Sequence, residues 1–285
     1  MARLIAYDRI IESAVALPGA LDAPGDARPE WRVTVDAVED APPFAPECVW
    51  RDAQLVWSIN PAEQHVVTDR HLALRHSAEA DVRSVSENAI ANGLPALAWI
   101  AGNVVMHAAA VVMPGADSAI AIMAPSGGGK STVLNELMQA GASLLADDTL
   151  VLRREGNRWI GSGLAGGWFM RINNGAGRAF SVAPAERRLR SAAIGAFICL
   201  SLEEAEASVN AMQRIGGVAA ISALLNHRHR ALVAGAIGSQ SANLATFAEV
   251  AAMVPIVNMP RQWGCIPFTD EELAAMAGLA TMQFR

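Results

Sequence analysis

Between Ala119 and Asp148 the chain passes from an apolar segment through three consecutive glycines to a helix-length stretch, then to a second apolar segment that ends on two aspartates. Few folds accommodate that order. A buried strand must hand over within one tight turn to a helix, and the chain must then return to strand, which is the plan of a mononucleotide-binding unit. We read Ala119 to Met123 as the first strand and Gly127 to Gly129 as the loop. Ser131 to Ala140 is then the helix, with Gly141 as its stop, and Ser143 to Ala146 is the second strand.

The loop reads Ala124-Pro125-Ser126-Gly127-Gly128-Gly129-Lys130-Ser131-Thr132, and Lys130 is the only lysine in 285 residues; every other basic side chain apart from histidine is arginine. A compact ammonium on a flexible stem suits a place between nucleotide phosphates, where a broad planar guanidinium does not. In such a turn successive backbone N–H groups converge on phosphate oxygens, and the helix that follows adds its positive end. Ser126, Gly127, Gly128, Gly129, Lys130, Ser131 and Thr132 are therefore the expected nucleotide-binding residues of a P-loop core. Lys130 reaches the β- and γ-phosphates of ATP, and the Ser131 hydroxyl holds the Mg2+ that bridges them. Ala124 stands where the usual pattern has its first glycine.

Asp147-Asp148 ends the second strand and admits two readings on residues alone: a solvated turn, or a metal carboxylate (Asp147) beside a base (Asp148) facing the phosphates. His107 lies in an apolar strand, where a histidine is commonly a satisfied core residue. His227-Arg228-His229-Arg230 reads as a solvated cap at a helix end, with contact to a substrate as the alternative.

Hydrophobic residues are 52% and charged residues 18%, an ordinary globular composition, and a net charge of -6 excludes bulk attraction to nucleic acid or to an anionic membrane. Three scattered cysteines (Cys48, Cys199, Cys265) form neither a disulfide framework nor a metal-ligand spacing, and with no secretory signal this points to a cytoplasmic protein. Ala89 to Ala116 carries no charge and is long enough to span a bilayer, but Asn92, Gly93, Pro95, Asn103, His107 and Pro114 divide it into a buried helix and a buried strand. No membrane span is expected.

Residues 1–85 are punctuated by proline and glycine and carry period-two stretches such as Trp31 to Val35 and Leu55 to Ile59, so a β-rich N-terminal region is expected there. The remainder, 86–285, is α/β. A helix is expected over Val85 to Ala101, a strand over Val104 to Met113 and a hairpin over Thr149 to Ile160. Later come a strand at Ala193 to Leu200, helices at Gly217 to Leu225 and Ala242 to Met253, a strand at Pro255 to Met259, and a helix opened by Thr269-Asp270-Glu271-Glu272.

His107-Ala108-Ala109-Ala110-Val111-Val112, the Ser126 to Thr132 loop, and Gly141 followed by Leu144 to Asp148 together resemble the catalytic core of the HPr kinase/phosphorylase superfamily. The resemblance is nearest to the HPr-kinase-like proteins of lasso-peptide biosynthesis, which phosphorylate a serine of a peptide. It implies a P-loop kinase-like domain over 86–285, with Lys130 as the phosphate lysine and Ser131 as the magnesium ligand. It further implies Asp148 as proton acceptor from the substrate hydroxyl, His107 as its partner, a peptide or small-protein substrate, and assembly as a homo-oligomer. Where the bifunctional phosphocarrier enzymes carry a further metal-binding glutamate, Trp168 to Asn174 here contains no acid, and Asn173 and Arg171 are the polar candidates. The expected activity is an ATP-dependent, magnesium-requiring serine/threonine phosphotransferase. Two alternatives stay open: a catalytically inactive nucleotide-binding scaffold, and a bifunctional HPr(Ser) kinase/phosphorylase.

Overall fold

The computed structural model describes residues 1–38, 43–78, 80–125, 127–172, 177–203, 212–238, 240–262 and 269–281. Ser126, Asn173 and Cys265, and the side chain of Arg171, lie outside the described set. The fold is mixed α/β with two large sheets.

The first sheet comprises β1 (Ala2–Ala6), β2 (Arg9–Ser13), β3 (Leu21–Asp22), β4 (Trp31–Val38), β5 (Cys48–Arg51), β6 (Gln54–Asn60), β7 (Glu63–Val67) and β8 (His71–Ser77), in the order β3-β1-β2-β4-β8-β7-β6-β5. Trp31 and Val33 on β4, and Leu72 and Leu74 on β8, alternate into its buried face. One helical rod follows: α1 (Val82–Asn88), a π-helical turn (Ala89–Gly93) and α2 (Leu94–Ile100). It starts three residues before the expected helix, because the Asp81 carboxylate caps the N–H groups of Arg83 and Ser84. No helix among the described residues is long and apolar enough to cross a membrane.

Next come β9 (Val104–Val112), β10 (Ala119–Met123), α3 (Lys130–Gln139), β11 (Ser143–Ala146), β12 (Thr149–Glu155) and β13 (Arg158–Ser162). These match the expected elements to within about a residue or two at each end, the usual spread of helix and strand boundaries. Gly141, with φ 92°, stops α3 in a Schellman arrangement: its N–H donates to Met138 O and that of Ala142 to Leu137 O. The hairpin β14 (Gly167–Ile172) and β15 (Gly177–Val182) was not expected, since its glycines and polar residues mask the strand alternation. The chain finishes with β16 (Ser191–Glu203), β17 (Gln213–Ile215), α4 (Gly217–Asn226), α5 (Ala231–Ala236), α6 (Gln240–Met253), β18 (Ile256–Gln262) and α7 (Asp270–Thr281). The expected capping box opens α7: Glu272 N–H donates to Thr269 Oγ1, and Thr269 N–H donates back to Glu272 Oε2.

Two strands serve more than one neighbour along their length. On β9, Val104 to His107 pair with β12 and Ala108 to Val111 with β10. On β16, Ser191 to Ala193 pair with β13, after which β10 and β18 take over. Strands β9, β10, β16, β13 and β12 thus close a ring, and β10 is apolar throughout because both of its faces are covered. Ile120 and Ile122 share a buried cluster with Leu134 and Leu137 of α3, whereas Ala121 and Met123 join Phe197 and the buried residues of the N-terminal sheet in another.

Gly163, just after β13, is where the chain crosses the end of β11. A Cβ there would lie 2.7 Å from Ala146 Cα and 2.8 Å from Leu145 O. Gly163→Ala is therefore expected to destabilise the protein by about 1–3 kcal/mol through a backbone clash that no rotamer relieves. A lowered midpoint in thermal or urea unfolding checks this.

Candidate functional site

His107 ends the stretch of β9 that pairs with β12, opposite Thr149, and Ala108 begins the stretch that pairs with β10. The edge of β9 left open at that point is taken by a distant segment: His107 N–H donates to His227 O at 2.7 Å, and His229 N–H donates to Val105 O at 2.9 Å. His227-Arg228-His229-Arg230 does cap a helix as expected, with His227 at the C-cap of α4 and Arg228 Nε donating to Leu225 O, but it is not left to solvent. Arg228 bridges to Met106 of β9, and His229 is 4% exposed. Long-range pairing overrides the local reading of alternating charge, and no spacing in the sequence announces it.

Pro95 sets the orientation of His229. Lacking an N–H, it cannot close the helical bond back to Ala91, so the Ala91 carbonyl is left for other donors. His229 Nε2 takes it at 3.1 Å and Arg230 Nε at 2.7 Å. Because a carbonyl only accepts, His229 carries its proton on Nε2.

Asp148 lies in a three-residue turn closed by Thr149 N–H donating to Asp147 O at 2.7 Å, with φ 66° at Asp148 itself. Such turns are rare and strained for residues other than glycine, and strain of this kind concentrates at functional sites. The Asp147 carboxylate is tied to β14, accepting from Phe169 N–H at 2.8 Å.

Lys130 opens α3 and is 7% exposed. Its Nζ donates to Asp148 Oδ1 at 2.7 Å and lies 3.5 Å from His107 Nδ1, while His107 Nδ1 is 3.4 Å from Asp148 Oδ1. Partial burial raises the Asp148 carboxyl, but Lys130 and His107 outweigh it and hold the group well below the usual carboxylate range. The Asp148 side chain keeps 52% of its surface, so it stays open to an incoming group. Burial and the Lys130 charge push His107 down, against the pull of Asp148, leaving a neutral imidazole whose Nδ1 can accept from the ammonium.

His107, Asp148 and His229 bring ligand atoms within 4.8 Å of one another. The two rings are stacked, with centroids 5.6 Å apart and planes 26° apart. The cluster could hold a metal ion, although the Lys130 ammonium already pairs with its carboxylate. An open depression of about 380 Å³ on the N-terminal sheet, lined by Trp31, Arg32, Arg70 and His71 among others, shares no residue with it.

The structure thus gathers Lys130, Asp148 and His107 at one point, with Asp147 beside them. Gly127, Gly128 and Gly129 form the turn before α3, and Ser131 and Thr132 lie in its first turn. Sequence reasoning left His229 as a minor candidate and missed Tyr7, which is 2% exposed and whose hydroxyl burial pushes up. A solitary tyrosine in a chain of this length was the available signal.

His229 also predicts a pH response. Burial and Arg230 push it down to about 4, from an ordinary value near 6.5 in an unfolded chain. Below about pH 6.5 the unfolded state takes up the proton first, so stability falls as the pH drops from there toward 4 and this contribution is then exhausted. Substituting His229 with asparagine should flatten the decline by up to about 3 kcal/mol, measured by urea unfolding at stepped pH.

No family model matches the chain, and no curated protein matches it. Among solved structures it is similar to the HPr(Ser) kinase/phosphatase from Coxiella burnetii, with a TM-score of 0.35 and 16% identity over 60% of this chain and 91% of that one.

Proposed function

We propose that this chain is an ATP-dependent, magnesium-requiring phosphotransferase that acts on a serine or threonine hydroxyl of a peptide or small protein, a lasso-peptide precursor being the favoured acceptor. The observation that carries the reading is the 2.7 Å contact between Lys130 and Asp148, which joins the phosphate-binding candidate to the base candidate.

The glycine turn fits a phosphate group. Gly127 and Gly129 have φ of 81° and 86°, which side chains would strain, and a Cβ on Gly128 would sit 3.0 Å from Pro125 O, so the tight turn itself calls for glycine. Gly129, at the N-cap, has no side chain with which to cap the first N–H groups of α3. Those donors and the helix dipole favour an anion there. Ser131 and Asp147, both oxygen donors, would hold magnesium, whose chemistry at such a site is to neutralise charge across the phosphates.

In this mechanism Lys130 leaves Asp148 for the phosphate oxygens, and the carboxylate, relieved of its ion pair, regains basicity. Asp148 Oδ1 then takes the proton of the acceptor hydroxyl as its oxygen bonds to the γ-phosphorus and the bond from phosphorus to the ADP oxygen breaks in line. His107 stays neutral, and its Nδ1, as an acceptor, orients the Lys130 ammonium.

Labelled ATP, magnesium and the peptides encoded beside the gene supply the test. The wild type should label a serine or threonine. Tight nucleotide binding with no acceptor ever labelled would leave a nucleotide-binding scaffold, and release of phosphate from phosphorylated product would favour the bifunctional enzyme.

A further inference from the structure

The His107 ring has little polar support of its own. Its side chain keeps 30% of its surface, and among the described residues its polar neighbours lie at 3.5 Å (Lys130 Nζ) and 3.4 Å (Asp148 Oδ1) from Nδ1. Both distances exceed an ordinary hydrogen bond. Yet Nδ1 must face that ion pair if it is to accept from the ammonium. The ring's firmer contact is with a second imidazole: His229 stacks on it with centroids 5.6 Å apart and planes 26° apart, an offset aromatic pair.

His229 is fixed where His107 is not. Its N–H donates to Val105 O at 2.9 Å, and its carbonyl accepts from the Trp99 indole at 2.8 Å. Its Nε2 donates to Ala91 O at 3.1 Å and lies 3.4 Å from Thr149 Oγ1. Ala91 belongs to the π-helical turn and Trp99 to α2, so the helical rod sets the plane of the His229 ring. The Ala91 carbonyl does not require a histidine, because Arg230 Nε already donates to it at 2.7 Å. Packing does not require one either, since burying an imidazole costs more than burying a hydrocarbon of similar size. What histidine combines is a flat ring and a donor that fixes the ring's tilt.

We propose that His229 is a positioning residue: its ring, anchored to the helical rod, backs the His107 ring and keeps His107 Nδ1 directed at the Lys130–Asp148 ion pair. The rod thereby bears on the site through a residue more than a hundred positions further along the chain. The inference rests on the phosphotransferase reading only for what the aligned groups do, not for how they are aligned.

Two substitutions separate the ring from the hydrogen bond. His229→Phe keeps the stacked ring and loses the donor, with Ala91 O still served by Arg230, whereas His229→Gln keeps a donor and loses the ring. In long-range proton–nitrogen NMR spectra the wild-type His107 should show one tautomer, Nδ1 bare and Nε2 protonated. The phenylalanine variant should keep that pattern, while in the glutamine variant the two ring nitrogens should move toward a common shift as the ring turns. If the wild type transfers phosphate, kcat should fall about tenfold in the glutamine variant with KM for ATP unchanged, and phenylalanine should restore it to within about threefold, the mark of alignment rather than binding. A wild-type tautomer pattern in the glutamine variant would overturn the proposal, as would averaging in both variants, which would assign the effect to the donor. Averaged nitrogens in the wild type would overturn it without any variant. If the glutamine variant does not fold, His229→Leu also removes the ring, and its His107 spectrum decides in the same way. Should the wild type transfer nothing, the kinase reading fails while the spectra still rule on His229.

Discussion

Asp148→Asn is expected to slow phosphoryl transfer by about 10²- to 10⁴-fold in single turnover, the range spanned by loss of a positioned general base. Asparagine is the informative replacement because Asp148 has φ 66°. Asparagine tolerates that left-handed conformation, whereas alanine would add backbone strain to the loss of the base. Nucleotide binding should survive, and apparent affinity should rise, because the phosphates no longer compete with a carboxylate for Lys130. The free protein carries the opposite effect. Lys130 is 7% exposed, and without its 2.7 Å partner it is a nearly buried, uncompensated cation. Because the Asp148 side chain is 52% exposed, solvent screens part of that cost. A loss of about 1–3 kcal/mol is expected, below that of a fully buried pair. Thermal unfolding with and without ATP separates the effects: a lower midpoint for the free variant, and a larger rise on adding nucleotide than the wild type shows.

Lys130→Ala is expected to reduce transfer by about 10³-fold or more, since it removes a preorganised positive charge from the place where charge develops on the phosphoryl group. Unlike Asp148→Asn it should also weaken nucleotide binding, which isothermal titration measures directly. Arginine should not restore activity, although the chain carries arginine at every other Lys/Arg position, because a rigid planar fork cannot occupy the site of a compact ammonium near His107 Nδ1. An independent check lies in His107. Lys130 is one of the groups that depress its pKa, so in Lys130→Ala the imidazole should titrate at a higher pH, as followed by NMR. If His107 does not respond, the two side chains are not coupled as their 3.5 Å separation requires.

Much of the strand and helix order was legible in the residues. The order β10, α3, β11 follows from an apolar strand, a glycine turn and Gly141, each acting over a few positions, and the Thr269 cap is local in the same way, whereas the Asp81 cap was passed over and its helix expected three residues late. The coincidence of Lys130 with Asp148 was an expectation from strand order, because both lie at the same end of neighbouring elements. What escaped was a local hairpin without a clear pattern and contacts between distant segments. The β14–β15 hairpin pairs residues with no strong alternation, and the His227–Arg230 segment is drawn onto β9 by hydrogen bonds to residues more than a hundred positions away. The β1–β2 turn is held to distant parts of the chain by the ion pairs of Asp8 with Arg153 and Arg190.

By itself the sequence determined the phosphate-binding candidate: three glycines, one lysine and the strand and helix on either side depend on backbone freedom and charge within a dozen residues. Only the tertiary structure decided what surrounds Asp148. Burial, a proline that frees a distant carbonyl, and a segment far along the chain act through space, where neither residue spacing nor local propensity carries information.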